Sequence, residues 1–236
     1  MKRADARVLV VGAGGLGSPA AHVLARAGVG EIALLDDDRV EASNLHRQIL
    51  HRAEDAGRLK VESAADALAR ISPSVRAVAI AERLTPANAA MVRNYHVVLD
   101  GSDGFATKFL VNDACVLARV PFVHAAAIRW TGQLLPVAAG APCYRCLFEE
   151  PPPPAAGATC SEAGIAGPVV GVIGALQAEA ALALLDGKCD ARESVLTRYD
   201  GLAGRARSVR FRRNRACRAC HAMTALDPRD YQVTAC

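Results

Sequence analysis

A short apolar run at residues 7–11 leads directly into Gly12-Ala13-Gly14-Gly15-Leu16-Gly17, and helical periodicity follows over residues 18–27. A G-x-G-x-x-G turn between a strand and a helix is a strong constraint. Glycine lets the backbone approach phosphate closely, and the next helix presents free N–H groups and the positive end of its dipole. Pro19 falls near the first turn of that helix, where a missing N–H costs nothing. Residues 31–36, EIALLD, read as a second strand. Asp36 ends it, 19 residues after Gly17, where a carboxylate can accept hydrogen bonds from ribose hydroxyls. On its own this fingerprint binds a nucleotide, with a nicotinamide dinucleotide favoured.

The same alternation continues. Helical patterns cover residues 60–71, 85–93 and 106–118, and strand patterns cover 75–80, 96–100 and 121–124. Strands alternating with helices of this length imply an α/β fold with a Rossmann-like, mostly parallel sheet and helices on both faces. After residue 125 the pattern changes. Residues 128–137 contain Thr131-Gly132, a turn between antiparallel strands, and residues 194–199 and 205–211 read as closing strands, giving an antiparallel extension. Four prolines at 151–154 mark an exposed, semi-stiff loop. The chain therefore reads as a single domain over residues 1–236, with a nucleotide-binding half at 1–125 and a second half at 126–236.

Hydrophobic residues make up 52% of the 236, enough for a core of this size, while the formal charge of +4 is too small to indicate nucleic acid. Seven arginines between Arg205 and Arg218 concentrate that excess and read as a solvated strand face. The first residues enter a strand without a signal-peptide pattern, so a cytoplasmic location is expected. The apolar run at 169–185 is interrupted by Gln177 and Glu179 and thinned by Gly171 and Gly174, so it reads as a buried helix and no membrane is expected.

Beyond Asp36 the charge pattern favours more phosphate than a dinucleotide carries. Ser43, Asn44 and Arg47 follow in SNLHRQ, with Lys60 on the next helix; Asn44, Arg47 and Lys60 suit a triphosphate clamp. Asp103 falls in the loop after the strand ending at Asp100, at the carboxyl edge of the sheet, where a carboxylate suits Mg²⁺ bridging phosphate oxygens. Taken singly, Arg47 and Lys60 also read as surface charges, and Asp100 or Asp103 as a helix N-cap.

Of eight cysteines, four form two pairs, Cys143-x-x-Cys146 and Cys217-x-x-Cys220. They supply a closed Cys₄ zinc site. The 70 residues between the pairs exceed zinc-ribbon spacing, so the metal would staple the C-terminal segment to the sheet. Residues 217–221 also spell C-x-x-C-H, a haem-attachment pattern, but haem attachment needs export and leaves Cys143 and Cys146 unexplained. Cys160 lies just after the prolines, in TCSEAG, and its reactivity depends on exposure and nearby positive charge.

The segments GAGGLG, LLD, SNLHRQ, KVESA, LDGSD, CYRC, TCSEAG and CRAC run in order from residue 8 to residue 220. Together they resemble the MoeB/ThiF family of ubiquitin-activating-type adenylyltransferases. The resemblance implies ATP with Mg²⁺, a structural Zn²⁺, a homodimer, and as substrate a ubiquitin-like β-grasp sulfur-carrier protein ending in Gly-Gly. A sulfur donor protein would act on the activated carrier. By position, Gly12, Gly14, Gly15 and Gly17 would face the phosphates and Asp36 the ribose. Ser43 and Asn44 would line the nucleotide, Asn44, Arg47 and Lys60 would hold the triphosphate, and Asp103 would be the Mg²⁺-linked acid, followed by Gly104. In ThiF-like members a cysteine placed like Cys160 bonds to the carrier or passes on sulfur, whereas in MoeB-like members it is dispensable; both readings stay open.

The sequence departs from the family in two places. Members usually carry, ahead of the first strand, an arginine that reaches the partner subunit's nucleotide, and the six residues before Arg7 offer no match. Gly104 stands where Asn is common. Two other readings remain: a nicotinamide-dependent oxidoreductase, which needs Asp36 and the glycines but not Arg47, Lys60 and Asp103 together, and a non-catalytic carrier-docking homologue.

Overall fold

The computed structural model describes residues 1–151, 164–189 and 191–231. Strands β1 (Arg7–Val11), β2 (Glu31–Leu35), β3 (Arg76–Ile80), β4 (Val97–Asp100) and β5 (Phe122–Ile128) form the parallel part of one sheet. Strands β6 (Thr131–Val137), β7 (Ser194–Asp200) and β8 (Arg205–Phe211) extend it antiparallel, in the order β3-β2-β1-β4-β5-β6-β7-β8. Four of the five residues of β1 and of β2 are buried. Alternate residues of β1 face opposite cores: Val8 and Val10 join one cluster, Leu9 and Val11 the other.

Helices α1 (Gly17–Arg26), α2 (Lys60–Ile71) and α4 (Gly167–Leu185) cover the first face, and α3 (Phe105–Ala118) covers the second. Helix α4 is long and apolar enough to span a membrane by length and composition. It nonetheless lies on the sheet, with Val169, Val170, Ile173, Ala178 and Ala181 in the first core. Gln177 donates from Nε2 to the Asp100 and Val123 carbonyls at 2.8 and 2.9 Å, as expected of a buried helix that meets strand ends. Strand β8 is exposed through Arg210, with Arg210 and Arg212 near Glu193, as expected of a solvated strand.

Two expectations are corrected. Residues 85–93 are not an α-helix: only a 3₁₀ segment, Ala89–Asn94, forms. Asn88 Oδ1 accepts from the Thr85 amide at 2.8 Å, so the side chain competes for the backbone and sets a turn instead. The hairpin after β5 turns at Arg129-Trp130, not at Thr131-Gly132. Arg129 takes the left-handed φ of 50°, and Gly132 is used within β6, where a Cβ would lie 2.2 Å from Ile173 of α4. The first residues of the proline segment belong to the described part only as far as Pro151.

Candidate functional site

The glycine turn closes at the carboxyl edge of the sheet. Gly12 has φ of 92°, and a Cβ on it would meet the Gly101 carbonyl oxygen at 2.9 Å. A Cβ on Gly17 would lie 1.8 Å from the Gly12 oxygen, so a side chain there displaces the turn itself. The turn is tied at Ala13. The Ala13 amide donates to Asp36 Oδ2 at 2.8 Å, and its carbonyl accepts from Ser18 Oγ at 3.2 Å and from His51 Nε2 at 3.1 Å. His51 Nδ1 bonds Ser63 Oγ at 2.9 Å, and burial holds this imidazole below its ordinary pKa and therefore neutral.

Asp36 leaves β2 half-buried, its other oxygen accepting from the Asp38 amide at 2.9 Å. Burial pushes its carboxyl upward, and nearby Lys60 draws it back. Lys60 is 7% exposed and bonds Asp38 Oδ2 at 2.7 Å, so it is not the solvated charge that one sequence reading allowed. Arg47 stands on the other flank of the turn, its Cγ and Cδ 3.7 Å from where a Gly15 Cβ would lie, with Nη1 3.3 Å from His46 Nε2. Arg47 thus lies against Gly15 of the turn, and Asp36 is tied to Ala13 and stands within electrostatic reach of Lys60.

Ser43 and Asn44 lie in a 3₁₀ turn and both donate to Glu41 Oε2, at 3.3 and 3.2 Å. Asp103 is exposed in the loop after β4, within electrostatic reach of Arg83. Neither Asp100 nor Asp103 caps α3: the N-cap is Gly104, and Asp100 is buried. Cys160 lies outside the described residues.

Gln48, quoted in SNLHRQ but given no role from sequence, is 4% exposed, and its Oε1 has no partner among the described residues. Its Nε2 is 3.6 Å from where a Gly14 Cβ would lie. Its place beside Arg47 in the motif was the available signal.

The four paired cysteines converge. Their sulfurs all lie within 4.8 Å of one another, with Cys143–Cys217 and Cys146–Cys220 at 3.6 Å and Cys143–Cys220 at 3.4 Å. A disulfide needs about 2.05 Å. Four thiolates about 2.3 Å from one ion in a tetrahedron sit about 3.8 Å apart, so the cluster fits a structural Zn²⁺. Hydrogen bonding among the four lowers Cys146 and Cys217 and raises Cys143 and Cys220, whereas a bound metal would hold all four as thiolates. Between Cys143 and Cys146, Arg145 is 1% exposed and grips Asp113 with both Nε and Nη2, while its guanidinium lies 4.5 Å from the Phe109 ring centre. Tyr231 also donates to Asp113, at 2.7 Å, fastening the C-terminal segment a second time.

Residues 2–219 match the ThiF family. The chain is 48% identical over 238 residues to the adenylyltransferase and sulfurtransferase MOCS3 of Bos taurus, covering 98% of this chain and 52% of that protein. It is 47% identical over 195 residues to the adenylyltransferase and sulfurtransferase uba4 of Emericella nidulans, covering 78% and 40%. The chain thus spans about half the length of these curated relatives. Among solved structures, E. coli MccB with AMPCPP and MccA superposes with a TM-score of 0.80 at 23% identity, covering 93% of this chain and 67% of that one, a likeness of fold.

Proposed function

The chain belongs to the ThiF family, and on that premise we propose that it adenylates the C-terminal carboxylate of a ubiquitin-like sulfur-carrier protein with ATP. The observation that carries this reading is the joint placement of Arg47 and buried Lys60 around the glycine turn and Asp36. A dinucleotide needs the turn and the aspartate but not two such cations. The relatives' names, which join adenylyl transfer to sulfur transfer, support the same chemistry.

In this reaction a carrier carboxylate oxygen attacks the α-phosphorus, the bond to the bridging oxygen breaks, and pyrophosphate leaves with the electron pair. Repulsion between anions is the main obstacle, so positioned cations suffice and no protein nucleophile is required. The glycine turn would receive the phosphates, Asp36 the ribose, and Ser43, Asn44 and Gly104 the remaining edges of the nucleotide. Arg47 and Lys60 would neutralise the triphosphate, Lys60 exchanging Asp38 for phosphate oxygen. Asp103 offers the hard oxygen ligand that Mg²⁺ prefers, and the ion would supply charge neutralisation at the leaving pyrophosphate.

The half at residues 126–236 would bind the carrier and Zn²⁺, and a separate sulfur donor would convert the acyl-adenylate to a thiocarboxylate, with or without Cys160 as relay. The test is carrier-dependent exchange of labelled pyrophosphate into ATP, without nicotinamide. Asp103→Ala should lower the exchange rate by about a hundredfold or more. Unchanged exchange in that variant, or a requirement for nicotinamide, defeats the reading; an inert docking homologue would show no exchange at all.

A further inference from the structure

Strands β4 and β5 pair in parallel with Asp100 opposite His124, so both side chains point to the α3 face. Both are almost fully buried, at 1% and 2% exposure. His124 Nδ1 donates to Asp100 Oδ2 at 2.7 Å. The other oxygen, Oδ1, accepts from the Ser102 amide at 3.1 Å and the Ser102 hydroxyl at 2.6 Å, which fixes the first turn of the loop that follows. Lys108 of α3 stands 3.8 Å from Asp100 Oδ2 and donates to the Ser102 and Ala125 carbonyls. From the opposite face, Gln177 of α4 holds the Asp100 carbonyl.

One carboxylate and one ammonium therefore balance in the interior, and a neutral imidazole completes the shell, its ring 4.5 Å from that of Tyr144. Burying such a pair is a weak source of stability compared with apolar packing. What the arrangement does is hold Ser102, the second residue of the loop at 101–104.

We infer that His124 is a positioning residue: by holding the Asp100 carboxylate from the side opposite Ser102, it fixes the loop that presents Asp103 to the nucleotide. The inference rests on the adenylyl transfer proposed above. It assigns a role to a residue that stands in an otherwise apolar strand and is too deep to touch substrate.

The test compares His124→Ala with His124→Asn, whose amide nitrogen falls near the Nδ1 position, in the full chain. Hydrogen exchange of the Ser102 amide reads the anchor, and pyrophosphate exchange reads its consequence. Alanine should speed amide exchange and lower kcat about tenfold each, with KM for the carrier changed less than twofold, and asparagine should restore both. If the alanine chain does not fold, His124→Gln replaces it, since its amide nitrogen reaches past the Nδ1 position. Unchanged Ser102 protection in a folded variant lacking that donor, or no rescue by asparagine, overturns the inference. If the unaltered chain catalyses no pyrophosphate exchange, the proposed function fails, while Ser102 protection still decides whether His124 is the anchor.

Discussion

Asp100 is a carboxylate kept charged inside the protein. Burial alone would raise its pKa; Lys108, His124 and Ser102 outweigh burial and bring it down to about 2 from the ordinary 3.8. A carboxyl whose folded value lies below its unfolded value adds stability at any pH above the unfolded one. That stability is lost as pH falls from about 4 towards 2, and the difference is worth about 2 kcal/mol. Asp227, held near 2 by Arg229, acts in the same range from the surface. Urea unfolding at pH 7 and pH 3 should therefore show a fall in stability that Asp100→Asn reduces by about 1 kcal/mol, because pH 3 lies between the folded and unfolded values; parallel losses in the two proteins would refute the assignment. Sequence gave Asp100 only as a strand end or cap. Its partners come from β5 and α3, eight to 24 residues away, and nothing in a strand pattern marks His124 as a carboxylate donor. Asp36 was legible because a fixed spacing from the glycine turn defines it.

At the scale of elements, the two cysteine pairs join a 3₁₀ turn, Tyr144–Cys146, and a four-residue helix, Arg218–His221, neither of which has a core of its own. Their attachment depends on the metal, on the packing of Tyr144, Ala219 and Tyr231 in the second core, and on a few polar contacts: Tyr231 to Asp113, Arg218 to Asp230 at 2.9 Å, and Asn214 to Glu149 at 3.0 Å. The protein as purified should carry one zinc per chain by elemental analysis. Chelation, or Cys220→Ser, should lower the melting temperature by roughly 5–10 °C and expose residues 214–231 to proteolysis, because metal binding is coupled to docking. A metal-free protein with the same melting temperature would remove the clasp from the account. This centre was readable because thiolate pairs carry their own spacing, whatever the fold between them. The central parallel strands β1, β2 and β4 were readable for a different reason: each is a largely apolar run buried on both faces. The β5–β6 turn was not, because Gly132 looked like a turn residue while Ile173, about 40 positions on, is what requires it to be small.

For the whole molecule, the distribution of exposed apolar side chains bears on assembly. Phe105 follows the loop after β4, Trp130 lies in the turn beyond the end of β5, Ile49 follows Gln48, and Val172 lies two residues after the Val170 that packs on Gly15. All four are 39–59% exposed, and all belong to segments at the carboxyl edge of the parallel strands, the edge that carries the glycine turn. Single exposed hydrophobics are ordinary on monomers, but large ones gathered at one edge mark a surface that another molecule covers. The same edge bears the proposed triphosphate site, so a second copy seated there would shield the reaction from water as well as bury apolar area. The homodimer implied by the family resemblance is thus expected to form through this edge. Light scattering should give about twice the 24.7 kDa chain mass at micromolar concentration. Trp130→Arg, which places a charge in the covered surface without touching the zinc cysteines, should shift the mass towards one chain and leave the zinc content at one. A single-chain mass for the unaltered protein would leave this apolar edge to the carrier alone.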